Sequence, residues 1–78
     1  MGSLKKGSYV RCKNQDRAGV VSDTRASGFA YIRWMTDWSP EHNVVKHYLE
    51  FVSITEVVEL SVEDIHPGLE ALRQLTLR

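Results

Sequence analysis

The stretch FAYIRWM, residues 29–35, decides the fold class of this 78-residue chain. It is rich in aromatic and β-branched residues, which favour extended strands. Strict alternation assigns Ala30, Ile32 and Trp34 to one face and Phe29, Tyr31, Arg33 and Met35 to the other. This is the period of a half-buried β-strand. We therefore predict a strand here, with Trp34 in the core.

The residues before this stretch predict a hairpin. GSYVRCK (7–13) alternates so that Val10 and Cys12 face the core, and VVSDT (20–24) predicts a second short strand. The polar segment NQDRAG (14–19) between them predicts a turn, with Gly19 at a bend or bulge. A break at residues 26–28 then separates the hairpin from the central strand.

The residues after this stretch predict a loop and more strand. TDWSPEHN (36–43) contains Pro40 and small polar residues, so a loop of eight residues is expected. VVKHYLEFVSI (44–54) and EVVEL (56–60) are dominated by β-forming residues. They fit either one long bent strand with a short partner or two strands joined near residues 53–55.

The C-terminal residues predict a short amphipathic helix over about 67–75. Ser61 with Asp64 forms a weak capping box, and Pro67 suits a first helical position. A helix this short is unstable alone in water. Its apolar stripe must therefore pack on the sheet or on another subunit; the stripe consists of Leu69, Leu72 and Leu75.

The segments KKGSYVRCK, DRAGVV and AYIRW resemble the Src-homology-3-like small barrels, in particular the Tudor-like and KOW-type domains. The resemblance covers about residues 5–60. It implies a mainly β fold, a small barrel of four to five antiparallel strands, followed at 61–78 by a turn and the short helix in a single domain, 1–78. It also implies binding of RNA, DNA, ribonucleoprotein or methylated cations. The loop at 36–43 and the helix are departures from that pattern.

Cysteine content and hydropathy restrict the environment of the chain. Cys12 is the only cysteine, which excludes an intramolecular disulfide and a multi-cysteine metal site. This usage is typical of a reducing compartment, so cytoplasmic localisation is expected. No apolar run approaches the roughly 18 residues that cross a bilayer, so no membrane partner is expected.

Catalytic patterns are missing from the sequence. His42, His47 and His66 lack the spacing of zinc ligands. The chain also has no glycine-rich phosphate loop, GxSxG elbow or paired-carboxylate signature. Cys12 is predicted to be buried and therefore inert. We predict a protein that is not an enzyme, with no catalytic residue, no bound metal and no cofactor.

The net charge of zero conceals an asymmetry. Residues 1–33 carry seven basic and two acidic side chains, whereas residues 34–78 carry three basic and eight acidic ones. The first part therefore has a surplus of five positive charges, and the second has a surplus of five negative charges. Either the basic half forms a face for an anionic partner, or basic and acidic strands lie side by side and neutralise each other.

These features predict a small non-enzymatic binding or assembly module that recognises a protein partner, and homo-oligomerisation through Leu69, Leu72 and Leu75 is one form of that prediction. One alternative is single-stranded RNA or DNA binding, because cations and aromatic rings are interleaved in the first half. The basic residues of that hypothesis are Arg11, Lys13, Arg17, Arg25 and Arg33.

A second alternative is recognition of a small cation or modified peptide by aromatic rings and an acid. Its candidate binding residues are Tyr31, Asp37, Trp38 and Tyr48.

Overall fold

A computed structural model describes residues 4–25, 27–61, 63 and 65–78. Five antiparallel strands form one sheet in the order β4-β3-β2-β1-β5, and a single helix, α1, packs against it. The strands are β1 Tyr9–Cys12, β2 Ala18–Arg25, β3 Phe29–Ser39, β4 Val44–Ser53 and β5 Val57–Glu59. The helix α1 spans Pro67–Thr76. The mainly β fold with a C-terminal helix is thus confirmed.

The central strand β3 is longer than its sequence predicts. Its alternation is confirmed, because Ala30, Ile32 and Trp34 are fully buried. The predicted loop at 36–43 is wrong: the strand continues to Ser39, and only residues 40–43 turn. The pairing of β3 with β4 shifts register between Met35 and Asp37. Such a bulge inserts one extra residue, which breaks the period of two on which the prediction rested.

The predicted hairpin of β1 and β2 is present, but its turn is shorter than 14–19. Strand β2 begins at Ala18, so Gly19 lies in the strand and not at the bend. A Cβ at Gly19 would lie 2.9 Å from the carbonyl carbon of Arg33 and 3.0 Å from Cα of Trp34. Glycine is required here because the two backbones approach closely.

The open question about residues 44–60 is decided in favour of two strands. Strands β4 and β5 are separated by a 3-10 turn at Ile54–Glu56, which Ser53 caps by accepting a hydrogen bond from the Thr55 amide. Strand β5 pairs with β1, and β4 pairs with β3. Within the described residues β4 and β5 are the two edges and do not pair, so the sheet is open and does not close into a barrel.

The sheet has two apolar faces. The inner face carries a core of Val10, Cys12, Val21, Ala30, Ile32, Trp34, Val52 and Val57. The opposite face, called here the helix face, holds Val20 and Val45 against Leu69 and Leu72 of α1. Burial of Cys12 in the core is as predicted from the alternation.

Helix α1 begins at Pro67, as the sequence predicts. Its N-cap is His66, whose Nδ1 accepts a hydrogen bond of 2.9 Å from the Gly68 amide. The predicted capping box includes Asp64, which lies outside the described residues, as does Ala26 in the predicted break at 26–28. No helix among the described residues is long and apolar enough to span a membrane.

Two of the three predicted oligomer contacts are core residues. Leu69 and Leu72 are 1% and 0% exposed and pack on the sheet of their own chain. The stripe is therefore satisfied within the subunit, and these two side chains are not available to a second one. Leu75 is 41% exposed and keeps an outward position.

Candidate functional site

Three aromatic rings form a continuous row on the part of the helix face that α1 leaves uncovered. We call Phe29, Tyr31 and Phe51 the aromatic row. The Phe29 and Phe51 rings stack, with centroids 5.1 Å apart and planes 15° apart. The Tyr31 and Phe51 rings have centroids 4.8 Å apart and planes inclined at 46°. The row exists because Tyr31 and Phe51 are direct cross-strand partners in β3 and β4.

Basic and apolar side chains border the aromatic row. The guanidinium carbon of Arg25 lies 5.2 Å from the centroid of the Tyr31 ring, within the range of a cation–π contact. Arg25 also forms an ion pair of 3.5 Å with Asp23. The next cross-strand pair is Arg33 with Leu49, and Leu49 is 50% exposed. The result is an amphipathic surface with an apolar centre and charged margins.

A second polar cluster lies at the inner face, around Arg17. Its guanidinium lies 4.2 Å from the centroid of the Trp34 ring. It donates a hydrogen bond of 2.7 Å to the Tyr48 hydroxyl and pairs with Glu50 Oε1 at 2.9 Å. The same Oε1 accepts the indole N–H of Trp34 at 3.0 Å. Arg17 therefore closes one end of the inner core with a charged side chain.

The pKa values of Arg17 and Cys12 reflect this cluster. Burial lowers the pKa of Arg17, but hydrogen bonds to Tyr48, Cys12 and Glu50 outweigh it and hold the pKa above its ordinary range. The pKa of the Cys12 thiol is lowered, chiefly by a hydrogen bond from the Asn14 backbone, with burial opposing and Arg17 assisting. Cys12 is thus buried as predicted, but its surroundings are not wholly apolar.

The four residues predicted to bind a cationic ligand do not meet. Tyr31 belongs to the aromatic row on the helix face, whereas Tyr48 lies on the inner face beside Arg17. Trp38 packs with the helix-face core, close to Gly68 of α1. Asp37 is exposed at the bulge, where its Oδ1 accepts the Trp38 amide. The structure therefore distributes this set over three places and forms no common cage from it.

The five basic residues predicted to contact nucleic acid are also separated. Arg25 and Arg33 border the aromatic row, and Arg17 is engaged at the inner face. Arg11 and Lys13 are exposed at β1 and the turn after it. The Arg17–Glu50 pair joins the basic half of the chain to the acidic half, as expected if the two halves lie side by side.

Sequence reasoning missed Phe51 and Leu49. Both are about half exposed, at 49% and 50%. The signal was the alternation within VVKHYLEFVS, which places Leu49 and Phe51 on the face opposite to Val52. That signal decides the face within β4, but only the register with Tyr31 and Arg33 shows that these residues extend an aromatic surface.

No protein-family model, curated protein or solved structure matches this chain significantly. Among the residues that the structure describes, no group of three or more His, Cys, Asp or Glu side chains is placed to hold a metal ion. The function of this chain is therefore inferred from the geometry of the aromatic row and its borders.

Proposed function

We propose that this chain is a non-enzymatic binding module that recognises a protein partner through the aromatic row. The supporting observation is one contiguous, exposed apolar surface. Phe29, Leu49 and Phe51 are 39%, 50% and 49% exposed and lie side by side on neighbouring strands. Contiguous apolar patches on small soluble proteins mark interaction sites, and aromatic and arginine side chains are enriched at the centres of such sites.

The orientation of the rings favours a protein partner over a single-stranded nucleic acid. Base stacking requires a free aromatic face. Phe29 and Phe51 stack on each other, and Arg25 lies over Tyr31, so ring faces are already engaged. The cations are also partly neutralised, since Arg25 pairs with Asp23 and Arg17 with Glu50. Ring edges and aliphatic groups remain, which suit an apolar protein surface.

We also propose a Src-homology-3-like class of fold and a cytoplasmic location. Pairing of β5 with β1 and the bulges in β2 and β3 support a Src-homology-3-like small barrel left open between β4 and β5. Bulges of this kind produce the local bending on which small barrels depend. The single buried thiol of Cys12 supports a reducing, cytoplasmic environment.

The test compares the immobilised wild-type chain with Phe29→Ser and with Leu77→Ser. Both residues are similarly exposed, at 39% and 43%, but Leu77 lies outside the aromatic row, where a Cβ at Gly7 would be 3.2 Å from its Cδ2. We expect a cellular protein that binds the wild type and Leu77→Ser and is lost with Phe29→Ser. Equal capture by all three variants would exclude the aromatic row as the recognition surface.

A parallel titration addresses nucleic acid. Labelled single-stranded RNA and DNA are added to the wild type at low salt, and fluorescence anisotropy is recorded. We expect no saturable binding. Binding that weakens steeply with added salt would indicate phosphate contacts and would replace the protein partner with a nucleic acid.

A further inference from the structure

Strand β4 is a long, free edge with exposed apolar side chains. It runs for ten residues and, among the described residues, has β3 as its single neighbour. Eight large apolar side chains are exposed in the described part of the chain, and half of them lie on β4: Val44, Tyr48, Leu49 and Phe51. The other edge, β5, has only three residues. β4 therefore offers a much longer edge than β5 for pairing with another strand.

Natural proteins usually protect a long edge with proline, bulges or several charges, because unpaired backbone groups recruit another strand. β4 contains no proline, and its one register shift falls on the β3 side, between Met35 and Asp37. Its only charged side chains are Lys46 and Glu50, besides His47. An edge of this kind is suited to a specific strand partner.

We propose that the partner of this edge is a second copy of the chain, whose β4 pairs antiparallel with the first across a twofold axis at Tyr48. This inference goes beyond the proposed function, because the β4 edge shares only Phe51 with the aromatic row. The resulting interface is isologous, with the same strand contributed by each subunit. It continues the five-stranded sheet of each subunit into one sheet across the dimer.

The register follows from symmetry and charge. Paired residues of antiparallel strands have side chains on the same face, so a twofold axis must pass through a residue and not between two residues. An axis at Tyr48 places Lys46 opposite Glu50 of the partner subunit, twice. An axis at His47 or Leu49 would place Lys46 opposite Tyr48 or Val52 instead. Opposite charges directly across a strand pair stabilise it, so the axis at Tyr48 is preferred.

The carboxylate of Glu50 already binds Arg17 and can also accept the Lys46 ammonium of the second copy. Arg17 and the Trp34 indole both bond to Oε1, and among the described residues Oε2 has no hydrogen-bond partner. The Glu50 side chain is 41% exposed. Lys46 is exposed and takes part in no ion pair within the described residues. A Lys46 ammonium from the second copy therefore adds to the Arg17 cluster without displacing its members.

The apolar side chains fit the same register. An axis at Tyr48 brings Phe51 of the partner subunit opposite Val45 on the helix face. Val45 forms one wall of a groove of about 250 Å³ between β4 and α1, lined by Asn43, Val45, Ala71, Gln74, Leu75 and Arg78. Leu75, exposed in the single chain, borders this groove. The second copy thus covers the Phe51 and Leu75 side chains that one chain leaves in water.

The first experiment measures mass against concentration by sedimentation equilibrium. We expect the wild type to show a monomer–dimer equilibrium. Lys46→Glu faces Glu50 of the partner subunit with a like charge at two contacts, so dimerisation should weaken by at least about tenfold. Lys13→Glu makes the same change of charge at an exposed residue away from β4 and should leave the equilibrium unchanged.

The second experiment determines the register with one added cysteine per variant, in His47→Cys, Tyr48→Cys or Leu49→Cys, beside the buried Cys12. Facing residues in an antiparallel pair have Cα atoms about 4.5–5.5 Å apart, within the span of a disulfide. Mild oxidation should cross-link Tyr48→Cys into a dimer most readily. Strongest cross-linking at 47 or 49 would overturn the proposed register.

The outcomes separate this inference from the proposed function. A wild type that stays monomeric at all concentrations overturns the second copy as partner, while capture of another protein that depends on Phe29 would leave the proposed function standing. A dimer that survives Lys46→Glu but is lost with Phe29→Ser overturns edge pairing and places the contact on the aromatic row. A dimer lost with Lys46→Glu and kept with Phe29→Ser supports the edge.

Discussion

The guanidinium of Arg17 lies 4.2 Å from the centroid of the Trp34 ring, and this contact joins the β1–β2 turn to the centre of β3. Trp34 is fully buried, so Arg17 acts as a polar cover over the largest core side chain. Through Glu50 and Tyr48 the same guanidinium reaches β4. One side chain therefore links the β1–β2 turn to β3 and β4, which are distant from it in sequence.

Replacement of Arg17 by alanine should destabilise the fold by about 2 kcal/mol. The change removes a cation–π contact and charge-assisted hydrogen bonds, each worth about 1–2 kcal/mol in partly buried settings. It also uncovers the Trp34 ring to water. Urea unfolding followed by tryptophan fluorescence measures the loss of free energy directly.

The matched variant is Arg25→Ala. Arg25 also lies over an aromatic ring and pairs with an acid, but its side chain is 53% exposed and the ion pair is 3.5 Å long. Exposed pairs of this kind contribute about 0–1 kcal/mol. Equal losses for Arg17→Ala and Arg25→Ala would show that the inner-face cluster has no special role in stability.

Trp38 illustrates where the sequence is informative and where it is not. Alternation correctly assigns the residues of β3 up to Met35, because the period of two holds there. The register shift after Met35 then returns Trp38 to the same face as Met35. A single inserted residue cannot be recognised from hydropathy, so a tryptophan between Asp37 and Ser39 resembled a loop residue although it packs under a helix.

The candidate site was predictable only in part for a similar reason. Tyr31 and Phe29 were correctly assigned to one face of β3 from the alternation. Their neighbours Phe51 and Leu49 depend on the register of β4, which a bulge changes by one residue. Arg17 and Glu50 meet only because β2 and β4 both flank β3. Non-local contacts of this kind follow from topology, which local patterns do not specify.

Replacement of Trp38 by alanine should destabilise the fold by about 3 kcal/mol, because it leaves a cavity between β3 and α1. The side chain packs beside Met35 against the first turn of α1. The loss should appear as weakened amide-exchange protection in α1 as well as a lower midpoint of unfolding. A folded, fully stable Trp38→Ala protein with impaired partner binding would instead support the ligand-binding hypothesis for this residue.

Two glycine variants distinguish backbone from side-chain crowding. A Cβ at Gly68 would lie 2.7 Å from Sδ of Met35 and 3.0 Å from Cβ of Trp38. Gly68→Ala should therefore cost about 1 kcal/mol, since alanine's higher helix propensity offsets part of the overpacking. Gly19→Ala meets the backbone of Arg33, which cannot rotate away, and should cost at least about 3 kcal/mol. Thermal unfolding of both variants tests this order, and a smaller loss for Gly19→Ala would contradict it.

His47 should make the fold less stable in mild acid. Burial, assisted by the charge of Arg33, lowers the pKa of His47 below its ordinary value of 6.5. The unfolded chain then binds the proton more tightly than the folded one, so stability is complete above about pH 6.5 and falls as the pH drops towards the lowered folded pKa. The free energy of unfolding is measured with urea at about pH 7.5 and at about pH 5. The difference between these two values should be smaller for His47→Gln than for the wild type. Arg33→Gln removes the neighbouring charge and should reduce the difference only in part, because burial is the larger cause. Identical pH dependence in the wild type and His47→Gln would show that the proton is taken up elsewhere.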